Sequence, residues 1–63
     1  MQSNILEFVK KYFYNDINKV IIIDIDHRKK YELKDMSLSK IMSYDMNNID
    51  GIIFGDDKIY MKF

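Results

Sequence analysis

Apolar residues first recur at helical spacing. Ile5, Phe8, Val9, Tyr12 and Phe13 lie three and four positions apart, with Glu7, Lys10 and Lys11 off the stripe, which predicts an amphipathic helix over residues 3–15. Asn4 followed by Glu7 has capping-box spacing, and Glu7 to Lys11 is the favourable order of an i, i+4 pair. A polar turn over 15–19 leads into V-I-I-I-D-I-D at 20–26, where four consecutive β-branched residues favour a strand. Alternation puts Ile21, Ile23 and Ile25 on one face, expected to be the core, and Val20, Ile22, Asp24 and Asp26 on the other. After a hairpin connection at 26–29, residues 30–34 alternate again: Tyr31 and Leu33 are expected to join the isoleucine face, and Glu32 to join Asp24 and Asp26. Asp35 or Ser37 can cap a short helix over 37–45 with a Leu38, Ile41, Met42 stripe. Ile52 to Phe54 forms a third strand, residues 55–58 a tight turn, and Ile59, Met61 and Phe63 the inward positions of a terminal strand. The expected fold is α+β, in the order α-β-β-α-β-β: a small antiparallel sheet of three to four strands with two helices.

Length and composition narrow this without redirecting it. At 63 residues there is room for one domain, spanning 1–63, and a chain this short buries only roughly 60% of its unfolded surface, so a second copy would add stability. Hydrophobic residues at 48% exceed what a disordered chain carries, so a packed core is expected. Without cysteine there is neither a disulfide framework nor a thiolate metal site. Ten basic and ten acidic side chains cancel, so no global field draws the chain to nucleic acid or membrane. The longest unbroken run of aliphatic side chains in the strand region, Val20 to Ile23, is far below the ~20 residues of a membrane span, and the reading is a soluble, unprocessed, cytoplasmic protein.

Candidate chemistry is sparse. Asp24-Ile25-Asp26 has the D-x-D spacing of magnesium-dependent phosphatases, but their doubly wound sheet needs crossover units of about 30 residues each, which this length excludes. His27, the one histidine, reads as an exposed turn residue rather than a triad member. His27-Arg28-Lys29-Lys30 is the strongest basic run, yet Asp24, Asp26 and Glu32 beside it would repel a phosphate backbone. Gly55-Asp56-Asp57 is turn chemistry. Met61 and Met42 read as core filling, Met46 as an apolar rim. No catalytic residue, metal or cofactor is expected.

From the first hairpin onward, Tyr31-Glu32, Met36-Ser37-Leu38-Ser39, Asp50-Gly51-Ile52-Ile53 and the Asp57-Lys58 pair, in the order hairpin, helix, strand, make residues 20–63 resemble the very small uracil-DNA glycosylase inhibitors of some short-tailed Bacillus phages. The resemblance implies a homodimer that mimics DNA, with carboxylates standing in for phosphates and an apolar pocket for the enzyme's DNA-probing leucine. It places Glu32 at the position of one family acid. Ile41 and Met42 stand where the family has an aromatic followed by a glutamate, Tyr44 supplies an aromatic one turn on, and Asp45 replaces a tyrosine. The expected function is therefore non-enzymatic inhibition of a host DNA-acting enzyme, uracil-DNA glycosylase first. Partner-binding residues would be Asp24, Asp26, Glu32, Ile41, Met42 and Tyr44, and the mixed apolar and acidic face with Val20 and Ile22 suits a dimer interface. The alternatives are an inhibitor of another defence nuclease such as a CRISPR effector, or a small nucleic-acid-binding module using Arg28, Lys29, Lys30, Lys58 and Lys62.

Overall fold

A computed structural model of the protein describes residues 4–63; Ser3, at the expected start of the first helix, lies outside them. Helix α1 runs Ile5–Tyr12, and the Asn4 side chain accepts the Glu7 N–H at 2.8 Å, so the cap expected from the sequence forms at the helix start. A 3-10 segment, Tyr14–Lys19, fills the polar turn and delivers the chain to β1, Val20–Asp24. Strand β2 spans Lys29–Glu32, and a 3-10 turn at Leu33–Asp35 follows. The second helix, α2, is only Leu38–Met42, capped by Ser37 rather than Asp35; another 3-10 turn, Met46–Asn48, precedes β3, Gly51–Phe54, and β4, Ile59–Lys62.

The fold is α+β; the expected order is met in part, the α-helices and strands following one another as α-β-β-α-β-β with 3-10 segments set between them. Its sheet is mixed rather than antiparallel. Strand order is β2-β1-β4-β3, the two hairpins β1-β2 and β3-β4 are antiparallel, and β1 runs parallel to β4. Central position goes to the most β-branched strand, which is apolar on both faces, as a strand flanked on both sides tolerates. The charged β2 takes one edge and β3 the other.

Both helices cover one face of the sheet. Ile5 and Val9 of α1 and Ile41 of α2 close over Val20, Ile22, Ile59 and Met61, with Leu33 and Tyr44 completing one core. This reverses the expected sides of β1. Val20 and Ile22 are 1% and 0% exposed and Asp24 is buried with them, while Ile21 and Ile23 are half-buried and Ile25 is exposed. Register carries the reversal into β2, where Tyr31 lies opposite Ile22 on the core side and Glu32 opposite Ile21 on the uncovered side. Leu33 is buried as expected, but in the turn after β2. Only Ile41 of the α2 stripe is buried: Leu38 and Met42 face solvent, because a helix this short presents too little length to pack a whole stripe. In β4 the expected alternation holds, with Ile59 and Met61 inward.

Arg28 closes the β1-β2 turn, its N–H donating to the Ile25 carbonyl at 3.2 Å, and it does so at φ 55°, the only non-glycine residue with positive φ among those described. A Cβ in this region costs about 1–2 kcal/mol, partly offset by the greater entropy a glycine loses. Arg28→Gly is accordingly expected to raise stability by about 0.5–1 kcal/mol. A urea midpoint equal to or below that of the parent would contradict this.

Candidate functional site

Asp24 ends β1 on its buried side, where an ionised carboxylate is tolerated only if its oxygens find donors. Three groups supply them. The Tyr44 hydroxyl donates to Oδ2 at 2.7 Å, the His27 ring places Nδ1 2.9 Å from the same oxygen, and the His27 backbone N–H donates to Oδ1 at 3.0 Å. A carboxylate only accepts, so Nδ1 is the protonated nitrogen of this pair. The Tyr44 hydrogen bond is the largest influence on Asp24 and, with the His27 contacts, outweighs desolvation, holding the carboxyl at about 2 against an ordinary 3.8. Burial, then the hydrogen bond to Asp24 and its charge, pushes the Tyr44 hydroxyl well above the usual phenol range. Tyr44 is held from behind by the Phe63 ring, with centroids 5.2 Å apart.

Around this pair lies a shallow cleft of about 330 Å³ lined by Asp24, Asp26, His27, Tyr44, Asp45 and Asn48. Its floor is fixed by the core, and its rim is the hairpin turn that Asp24 braces. Chemically it is a preset negative site: Asp24 remains ionised throughout the neutral range, Tyr44 remains protonated, and Asp26 stands exposed beside them. Among the described residues no group of three or more histidine, cysteine or acidic side chains is placed to hold a metal ion.

Of the residues singled out from the sequence, Asp24, Asp26 and Tyr44 are brought together here. Glu32 is not. It sits on the other side of the sheet, 3.9 Å from Lys34. Ile41 is a core residue at 5% exposure, and Met42 is exposed, away from the cleft lining. Val20 and Ile22, expected at a dimer interface, are sealed under the helices and offer no surface to a second copy. The expectation fails because alternation shows which residues share a face but not which face the helices cover. His27, expected as a solvated turn residue, keeps an exposed ring but is tied to Asp24. The three-residue spacing from Asp24 to His27 across a tight turn is a signal the sequence does carry. The Tyr44 bond joins residues 20 positions apart, and nothing local announces it.

The face that no described helix covers is the second surface of interest. Register sets Ile21, Ile23, Ile53 and Tyr60 there beside Lys30, Glu32 and Lys62. A depression of about 210 Å³ at its middle is bounded by Ile21, Lys30, Glu32, Lys58 and Tyr60, so three of the lysines singled out from the sequence share this face while Arg28 and Lys29 remain at the hairpin. No described helix is long and apolar enough to cross a membrane. Comparison with protein-family models, curated proteins and solved structures finds no match to this chain.

Proposed function

We propose that the protein is a non-enzymatic inhibitor that binds a host DNA-acting enzyme by protein–protein contact, with uracil-DNA glycosylase the first target to test. The observation supporting this reading is the acid-lined cleft at the end of β1, where Tyr44 and His27 hold the Asp24 carboxylate in place before any partner arrives. An enzyme surface evolved to accept phosphates meets there a rigid negative site, with Asp26 free to make direct contact and Asp24 supplying charge from beneath. Tyr44 acts as scaffold: buried at 8% exposure, it positions Asp24 and touches no partner. Glu32 and Met42, exposed elsewhere, would meet a partner only if it wraps past the cleft.

Purified protein added to a uracil-excision reaction at stoichiometric concentration is expected to block it, and Asp26→Asn to weaken the block by about tenfold, the worth of one charged hydrogen bond. Uninhibited excision at tenfold excess removes this target and leaves a different enzyme, such as a defence nuclease, to be sought by capture from host lysate.

A second reading draws on the uncovered sheet face, where Lys30, Lys58 and Lys62 surround Tyr60, an arrangement that suits base stacking with phosphate neutralisation. It predicts mobility shifts of single-stranded nucleic acid with a steep salt dependence, the affinity rising as salt is lowered.

A further inference from the structure

The two edges of the sheet are built differently. Edge strand β2 carries Lys29, Lys30 and Glu32 over four residues, the charged composition by which sheet edges discourage pairing. Edge strand β3, Gly-Ile-Ile-Phe, carries no charge and no proline, and Ile53 and Phe54 are 51% and 64% exposed. Its backbone polarity is also legible. The Gly55 N–H donates to the Lys58 carbonyl at 2.8 Å, so in the alternating antiparallel ladder Gly51 and Ile53 turn their amides to β4, and Ile52 and Phe54 turn theirs outward.

Beside that edge, on the helix side, runs an open groove of about 510 Å³ whose apolar wall is formed by Phe8, Tyr12, Met46, Ile49 and Ile52. An aromatic chain continues it, Tyr12 to Phe8 to Phe13 to Phe54, with successive centroids 4.7, 5.9 and 5.6 Å apart. Charge brackets the strand. Exposed Asp50 precedes it, exposed Asp56 and Asp57 follow it, and Glu7 stands on the groove rim. The lysines of this hairpin, Lys58 and Lys62, lie on its inner side with β4, leaving Lys11, near the Tyr12 ring, as the cation of the groove.

We infer that β3 is a docking edge for an extended segment of a partner protein, about six residues long, apolar at alternate positions and flanked by lysine or arginine. The segment adds as a fifth strand. Its backbone satisfies the outward amides and carbonyls of Ile52 and Phe54, its alternate side chains enter the groove against Phe8 and Met46, and its basic ends meet Asp50 at one end and Asp56 and Asp57 at the other.

The probe is a labelled synthetic peptide alternating isoleucine and threonine between terminal lysine pairs, with two controls: glutamate pairs in place of lysine, and N-methylation of every second amide. Binding read by fluorescence anisotropy at low salt should be at least about tenfold stronger for the lysine peptide than for the glutamate peptide, and absent for the N-methylated one. Amide exchange should slow at Ile52 and Phe54 when the lysine peptide is present and stay as it was at Ile53. The exposed-site variant Phe54→Lys should keep its fold and lose the peptide. Unchanged exchange at Ile52 and Phe54 overturns the inference, as does equal binding of the N-methylated peptide. It is equally overturned if those amides are already protected without peptide at concentrations where light scattering gives a dimer mass, which would make a second copy the occupant.

Discussion

Ile22→Lys is expected to leave no cooperative thermal transition, whereas Ile21→Lys, one residue earlier, should melt as a folded protein. Ile22 has no exposed surface and is packed in the core with Met61, its register partner on the neighbouring central strand. A lysine there strands a charge among apolar side chains. Even the milder Ile22→Ala removes about 2–5 kcal/mol through lost burial and the cavity left behind. A domain of this size has roughly 3–9 kcal/mol in total, so alanine alone takes a large share of it. Ile21 lies on the face that no described helix covers, half-buried beside Glu32 and Tyr60, where a long side chain can extend into solvent. Circular dichroism melts of the pair test the sidedness of the sheet directly: two folded variants, or two unfolded ones, would contradict it.

The second large effect is on the pH dependence of stability, through Asp24. Its folded-state carboxyl sits at about 2 against an ordinary 3.8, so its contribution is complete above the ordinary value and drains away as pH falls from about 4 toward 2. Tyr44 works in the opposite direction. Its hydroxyl is raised above an ordinary 10, so its contribution is present below pH 10 and is lost as pH climbs past that value. Melting temperature should therefore be flat with respect to these two groups between about pH 4 and 10 and fall on both sides. Tyr44→Phe removes the hydroxyl that is the leading cause of the Asp24 shift. The variant should melt lower at pH 7, decline less between pH 4 and 2, and lose the tyrosine part of the alkaline fall. An acid limb as steep as that of the parent would show that Asp24 owes little to Tyr44.

These expectations also mark where the sequence could be read and where it could not. Local chemistry was legible. Asn4 caps α1, Ser37 caps α2, and Ile59 and Met61 point inward against Tyr60 and Lys62, because each depends on residues a few positions apart. The sides of β1 were not, since Val20 to Ile23 are equally apolar on both faces and the one asymmetric mark, Asp24, pointed the wrong way. A carboxylate ordinarily marks the wet side of a strand; here Tyr44 and His27 satisfy it, and the acid goes in with the isoleucine. The parallel junction of β1 and β4 was hidden for a related reason. Hairpin turns announce themselves, but pairing between distant strands leaves no local mark. At the candidate site the same division holds: Asp24, Asp26 and Tyr44 were all singled out, while the bond that unites Asp24 and Tyr44 was not foreseen.

That parallel junction sets the order in which the molecule can assemble. Each hairpin closes over a short loop and can form within microseconds, yet neither has a covered face until β1 meets β4, and the whole β2, α2 and β3 excursion separates those two strands along the chain. The entropy of closing so long a loop is spent before Ile22 and Met61 can repay it, so their meeting is expected to govern the folding rate. A half-sheet that has not yet met its partner exposes apolar strand surface, so the yield of refolded monomer is expected to fall as protein concentration rises.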